Sequence, residues 1–586
     1  MHRHQSLIPA KTILFGAAVY LMLAALPLGA VSITLTHSGG GPVGQLVTWT
    51  ATNAGSAGTT LQFRWVITQN GANVVFRDFN TTSTISYAPL QEGSYTVTVT
   101  ARNAANFGDT DTTSATVTAT SLLKSGNAPN VTGTHNPLVA IYTATCASGS
   151  NIRVFFSAPG AQQFSTPYQP CVTGKSVNFI IAGMRATTTY NLQHQIQSGF
   201  SFSYGPTLHF TTGSIPSNVP VPTLTVTGTP TTQQPVVLES AFSLPVAFDT
   251  SGHVIWYDFP PAPGATLLFR PINGGTMFLS EGDLLQEINL LGTVLRETNI
   301  TRVQEQLPFI NGKRNRVADF NHDAIRLPNG DTATISIMEQ ITNQGPGPNP
   351  KDVLGDIVLV LDKNDYHVKW SWDPFGRVKL PITRLATLGD TCASFTNGCP
   401  LLKLIPAGQT LANDWMHANS LAFTGDNDLL LSVRSQDWVL KLDYANGTGT
   451  GNIEWRLGND GDFALSGGQW FSHQHNATLT GTTLSLFDNA NADETNFGGS
   501  RGLVLTINEE AKTADIIDEA LMHVFSPAVG TAQILLNGNL WFLAGFVGST
   551  SEAIEFKPGS LATPVAHFST SNNNYRSFRM TDLYTP

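Results

Sequence analysis

Three histidines share one register in the second half of the chain. His322 lies eight residues before Gly330, His417 eight before Gly425 and His473 eight before Gly481, with His475 two places nearer that last turn. The chain holds 14 histidines in 586 residues, so the same offset in three successive segments marks a repeated structural position. Arg434 follows His417 in SVRSQD, Asn419 sits in NDWMHANS, and Thr531 falls one place after the equivalent position of a fourth segment. Each residue alone has an ordinary explanation: a histidine at a strand start can be a core or surface residue. Arg434 could pair with Asp437 or Asp443. Taken together, histidines and an arginine without a nearby carboxylate cluster suit a tetrahedral oxyanion, because burying several cations is costly unless an anion receives them. A neutral imidazole can then act as nucleophile and a second histidine as acid and base. The same residue types fit a three-histidine metal site, and residue content leaves that alternative open.

The elements that must position these groups repeat. INGGTMFLS (272–280), LPNGDTATI (327–335), FTGDNDLLLS (423–432), LTGTTLSLFD (479–488) and LLNGNLWFLAG (535–545) each read as a strand pair around a turn. FDTSGHVIWYDF, INLLGTVLRE, LDKNDYHVKWSW and LDYANGTGTGNIEWRL supply the other half of the repeat. Each unit holds about four short strands and cannot bury its own faces, so packing units in a ring is the expected solution. The predicted fold class is all-β, a six-bladed β-propeller over residues 223–586 preceded by two immunoglobulin-like or fibronectin III-like β-sandwiches. In a propeller, equivalent inner-strand starts converge on the mouth of the central channel, which would bring the histidines together.

Residues 31–121 read as the first sandwich, with Trp49, Phe63, Trp65, Tyr95, Val97 and Val99 alternating with polar residues, and EGSYTVTVTAR resembling a PKD or immunoglobulin-like closing strand. Residues 122–213 read as the second, where ATTTYNLQHQI resembles a fibronectin III corner. A Pro-rich linker spans 214–222. Residues 1–30 carry Arg3 and Lys11 before an apolar run from Ile13 to Leu26, the pattern of an export signal, with an uncleaved N-terminal anchor as the other reading. An exported location, periplasmic or extracellular, favours disulfides within the local pairs Cys146/Cys171 and Cys392/Cys399.

Several classes are excluded by what is missing. A net charge of −10 with no basic stripe argues against a nucleic-acid partner. Gly174-Lys175-Ser176 lacks the upstream glycine of a P-loop, and neither Cys392 nor Cys399 begins a C-x-P-x-R run. GNDGDF at 458–463 hints at a calcium loop but lacks a full ligand set.

FNHDAIRLPNGD (320–331), DWMHANSLAF (414–423), LLLSVRSQDWVLKLD (429–443), IEWRLG (453–458), FSHQHNATL (471–479), LFDN (486–489), GTAQILLNGN (530–539) and YRSFRM (575–580) together resemble, in order, the bacterial arylsulfate sulfotransferases. The resemblance implies an exported six-bladed propeller that moves a sulfuryl group from an aryl sulfate donor to a phenolic acceptor. It further implies a ping-pong reaction through a sulfohistidine, with no cofactor and no nucleotide. Carried over by motif, His475 is the nucleophile, His322, His417 and Arg434 hold the sulfate and serve acid–base roles, and Asn419 and Thr531 contact it. The family reads FSGQHDA where this chain has FSHQHNA, so His473 is an added candidate two residues away, hence on the same side of a strand, and Asn476 replaces an acid. A non-catalytic secreted propeller that binds through its sandwiches, or an aryl sulfate hydrolase, are the alternative readings.

Overall fold

The computed structural model describes residues 30–586 except 56–58, 242–243, 259–267, 282, 311–312, 315–316, 344–349, 383–389, 395–398, 405, 407 and 493–496. The expected export signal or anchor therefore lies almost wholly outside the described residues. Among the described residues no helix is long and apolar enough to cross a membrane, and the one α-helix is Ile300–Gln306.

The protein is all-β. Six sheets, each built on four antiparallel strands and some extended by further strands, succeed one another after residue 235. Sheet I comprises Val236–Ala241, Leu244–Asp249 and Val254–Tyr257 plus the final strand, Asn574–Met580. Sheet II is built from Phe269–Ile272, Thr276–Glu281, Leu284–Asn289 and Val294–Asn299. Sheet III holds Val317–Arg326, Thr332–Thr342, Lys351–Leu361 and Val368–Trp372, and sheet IV holds Ala418–Phe423, Leu429–Val433, Trp438–Leu442 and Ile453–Gly458. Sheet V has His475–Thr480, Thr483–Asp488, Arg501–Asn508 and Thr513–Leu521; sheet VI has Thr531–Ile534, Leu540–Val547, Thr550–Phe556 and Ala566–Thr570.

Their middle strands are apolar on both faces, as in Leu429–Val433, where every residue is buried. The strand period of two sends alternate residues to opposite neighbours. Leu429 and Leu431 pack with Val358 and Ala333 of sheet III, whereas Leu430 packs with Leu484 and Leu486 of sheet V. The same sharing joins V to VI through Phe487 and Phe542, I to II through Trp256 and Met277, and II to III through Phe278 and Phe320. Sheet VI meets sheet I through Trp541, Leu543, Val237 and Phe248. The final strand pairs with the first strand of sheet I, Arg579 opposite Val237.

Ahead of these lie two further double-sheet layers. Trp49, Trp65, Val97 and Val99 fill the first core, and the Tyr95 hydroxyl donates to the Gln91 carbonyl at 2.8 Å. In the second, the Tyr190 hydroxyl accepts from the Arg185 N–H at 2.8 Å. These layers are tied to the six sheets rather than hung from them. Strand Ala72–Asn80 runs parallel to Val294–Asn299, extending sheet II, and Arg102 grips Glu305 at 2.7 Å and 3.0 Å. The expected linker packs Val219 and Val221 onto the seam between sheets VI and I. Both cysteine pairs are bonded, Cys146–Cys171 and Cys392–Cys399.

Candidate active site

The register seen in the sequence corresponds to a backbone feature. His322, His417 and His473 have φ of 65°, 50° and 55°, the left-handed region that costs a non-glycine residue roughly 1–3 kcal/mol. The ladder slips beside each one, between Phe320 and Ala324, between Ala418 and Ser420, and between His475 and Thr478. Such bulges re-aim side chains at the start of a strand. Immediately beyond them, side chains tie each inner strand to the next sheet's. Asp323 accepts from Leu421 N–H at 2.9 Å, Ser420 from Ala477 at 3.1 Å, Asn476 from Ala532 at 3.0 Å and Thr531 from Ser577 at 3.0 Å.

The bulges gather His322, His417 and His475 with Tyr575 from the final strand. The His322 ring lies 4.7 Å from that of His417 and stacks on Tyr575 at 5.4 Å, and the His475 ring stands edge-on to Tyr575 at 6.4 Å. His322 is only 4 % exposed, yet neither ring nitrogen has a hydrogen-bond partner. Unpartnered buried polar atoms are rare enough to mark a position that a ligand completes.

His475 is 1 % exposed, and its orientation is locked. Its Nδ1 lies 2.7 Å from Asn489 Oδ1, while Asn489 Nδ2 donates to the carbonyls of Ser526 at 2.7 Å and Val529 at 3.0 Å. With its amide nitrogen engaged, Asn489 presents oxygen to the imidazole, so Nδ1 carries the proton. Nε2 then keeps its lone pair, which accepts a 3.2 Å bond from the Val529 N–H. Burial, then the nearby Arg576 and Arg434, hold His475 well below the usual histidine range. Burial, and after it His417 and His475, depress His322 likewise.

Arg434 begins the turn after Leu429–Val433 and is loosely held, 3.7 Å from Asp390 and 3.4 Å from the Pro527 carbonyl, with Nε unpartnered. Arg576 was not singled out by sequence. It is buried, donates to the carbonyls of Gly530 and Asn419 (2.7 Å to the latter), and makes no ion pair among the described residues. Asn419 donates its own amide to the Gln474 carbonyl at 2.7 Å and leaves Oδ1 unpartnered.

Three expectations change here. The site is not free of carboxylates: Asp414 accepts from His417 Nδ1 at 2.6 Å, and Asp390 serves Arg434 and His473. Asp414 stands three residues before His417 in NDWMHANS, whereas Asp390 comes from the segment between sheets III and IV, which sequence spacing could not connect to the histidines. His473 does not share a strand face with His475, because the strand begins only at His475; its ring lies 3.0 Å from Asp390 and 3.2 Å from Asp437. Although burial opposes it, those two carboxylates raise His473 above the usual range. The Thr531 hydroxyl is engaged by the final strand, accepting from Ser577 N–H at 3.0 Å, and Thr531 lines a cavity of about 300 Å³ with Asn476, Thr478 and Arg270. As for metals, the one group of three potential ligands lying within 4.8 Å of one another among the described residues is Asp362, Asp365 and His367 on an exposed turn. The three site histidines form no such group. In GNDGDF, Asp462 is held by Arg456 at 2.8 Å.

The Cys392–Cys399 bond sits where those acids are delivered. Thr391–Cys392 pairs with Ala412–Asp414, and Asp414 N–H donates to the Asp390 carbonyl at 3.2 Å. Closing so short a loop stabilises by roughly 2–3 kcal/mol. Cys392→Ser/Cys399→Ser is expected to lower turnover about ten-fold by loosening both acids, read as activity alongside the thermal midpoint. Unchanged activity with a lowered midpoint would show that the bond serves stability alone.

An all-β protein that gathers histidines and arginines around a buried polar centre is suited to transferring an anionic group. Residues 224–579 match the model of the family described as Arylsulfotransferase (ASST), and the chain belongs to that family. Membership supports aryl sulfotransferase activity in general, with an aryl sulfate donor and a phenol acceptor. No curated protein matches the chain. Solved structures that resemble it include a protein of unknown function from Bacteroides caccae, at 10 % identity over 58 % of this chain and 97 % of that one, with a TM-score of 0.34. The chicken interferon gamma receptor alpha chain is similar at 9 % identity over 32 % of this chain and 98 % of that one, with a TM-score of 0.13.

Proposed function

We propose that the protein transfers a sulfuryl group from an aryl sulfate to a phenol by a ping-pong reaction, with His475 carrying the group in between. The observation that carries this reading is the locked His475 ring, whose unprotonated Nε2 lies near Arg576, which makes no ion pair among the described residues, and Arg434, held only loosely by Asp390. Nε2 attacks sulfur as the sulfur–oxygen bond to the aryl group breaks, and the electron pair leaves with the phenolate. His417, its Nδ1 proton fixed on Asp414, uses Nε2 to protonate that oxygen and later to take the proton of the acceptor phenol. Arg434 and Arg576 balance the charge on the sulfuryl oxygens, with His322 completing the shell. His473 acts by fixing Asp390 rather than by attack.

The sheets support a six-bladed propeller: six in sequence, six shared cores including one from VI back to I, and a first sheet completed by the last strand. The tyrosine–backbone bonds at Tyr95 and Tyr190 support immunoglobulin-like and fibronectin III-like modules over 31–121 and 122–213. Two disulfides suggest an exported protein, and a periplasmic or extracellular location fits them.

The test is release of nitrophenol from p-nitrophenyl sulfate, with and without added phenol and without nucleotide. Release that rises with phenol and yields phenyl sulfate supports transfer; release indifferent to phenol would mean hydrolysis and contradict it.

Depressed histidines also predict a pH dependence. The folded state holds His475 and His322 neutral where an unfolded chain, titrating near about 6.5, takes protons. The contribution of these two histidines to stability should therefore be undiminished above that value and fall as pH drops below it, while the acid limb of the rate profile lies lower still. Denaturant midpoints of the protein and of His322→Phe between pH 5 and pH 8 check this, because Glu239 and Asp356, raised by burial to about 7, act in the opposite direction in both. The variant should lose less stability on the acid side, and an equal loss would refute it.

A further inference from the structure

Residues 112–238 contain no Asp or Glu, although the chain has 41. Within that stretch the sheet formed by Asn151–Ser157, Thr189–Ser198 and Ser201–Tyr204 buries Ile152, Val154 and Leu192 and turns its other face outward. On that face Arg153, Gln195 and Tyr204 stand side by side across three strands. Gln195 is 4 % exposed and works in both directions. Its Oε1 accepts from the Tyr168 hydroxyl at 2.7 Å and Arg153 Nε at 2.9 Å, and its Nε2 donates to the Tyr204 hydroxyl at 2.7 Å. Arg153 lies 4.6 Å from the centre of the Tyr168 ring. The rings so anchored are nonetheless bare: Tyr168 is 37 % exposed, Tyr204 58 % and the neighbouring Phe202 53 %.

Exposed aromatic rings normally lose freedom on binding, and rings already fixed by a buried amide avoid that loss. A protein hot spot needs a contiguous apolar centre sealed by a rim. Here polar side chains are interleaved with the rings, so the matching partner must alternate apolar faces with hydroxyls. Sugar rings do so: their C–H faces stack on aromatic rings and their edges carry hydroxyls. The absence of carboxylates across the module also leaves nothing to repel acid substituents.

We propose that this face of the second sandwich binds an extended polysaccharide, with sugar rings on Tyr168, Phe202 and Tyr204 and hydroxyl or acid groups on Arg153. It would hold the enzyme at a glycan matrix while the distant site works. The full chain should be run in native gels containing laminarin, xylan, alginate or dextran sulfate. Retardation by at least one is expected, with Phe202→Ala/Tyr204→Ala weakening it about ten-fold or more and Tyr204→Phe, which keeps the ring, retaining it. Retardation by the acidic polymers alone would place acid groups on Arg153; retardation by the neutral ones would place hydroxyls there. Turnover of p-nitrophenyl sulfate should be unchanged in these variants, reporting an intact fold. No retardation by any of the four, or retardation that survives the double substitution, would overturn the proposal. So would loss of a concentration-dependent dimer in the double variant, which would make a second copy the occupant.

Discussion

His475→Ala is expected to lower aryl sulfate turnover by about 10⁴-fold or more, since losing a nucleophile leaves only binding and charge stabilisation. The variant also leaves the Asn489 Oδ1 without its donor, at a cost of roughly 1–3 kcal/mol, so a lower melting temperature accompanies the loss. Chemical rescue separates the two effects. Imidazole added to a folded His475→Ala should enter the vacated space and restore nitrophenol release. His473→Ala should lower turnover modestly, because it disturbs Asp390 and not the attacking atom. If His473→Ala were the inactive variant and His475→Ala the active one, the assignment would be reversed.

Arg576→Met is expected to lower kcat/KM by about 10²–10³-fold, the effect of removing one preorganised donor from a developing charge. The size of this loss alone would not exclude a structural cause, because Arg576 also bridges the Gly530 and Asn419 carbonyls. Its pH profile does. Arg576 is the first charge after burial that depresses His475. Removing it lets His475 accept a proton more readily, so the acid limb of the rate profile should move to higher pH. A merely structural role would reduce the rate without moving that limb. Arg576→Lys keeps the charge and should leave the limb in place while losing one of the two carbonyl bonds.

The sequence made the chemistry legible where it repeats. His322, His417 and His473 announced themselves because a left-handed residue recurs eight residues before a glycine, and only a repeated fold imposes that offset. The strand pairs and five of the units were visible for the same reason, with a sixth inferred from them. Arg576 and Tyr575 carry no such mark: they reach the site through the final strand, which joins a sheet begun some 340 residues earlier. Asp390 escaped because it rides on a stapled excursion from sheet III, 83 residues from the His473 it holds, whereas Asp414 was visible three residues before His417. The His475 tautomer was equally hidden, since the family's acid position is Asn476, which instead ties two sheets together. Asn489, a strand away, does the orienting. The parallel pairing that joins strand Ala72–Asn80 to sheet II depends on shape alone, and strand patterns do not name their partners.

The central claim is that sulfur passes through a covalent bond to His475. Mixing the purified protein with excess p-nitrophenyl sulfate and no phenol, then measuring intact and peptide masses, tests it most directly. The account predicts a gain equal to one SO₃ group, acid-labile, on the peptide carrying His475, lost on adding phenol and missing from His475→Ala. An unmodified protein that still releases nitrophenol and forms phenyl sulfate would contradict it, and direct transfer between bound donor and acceptor would take its place.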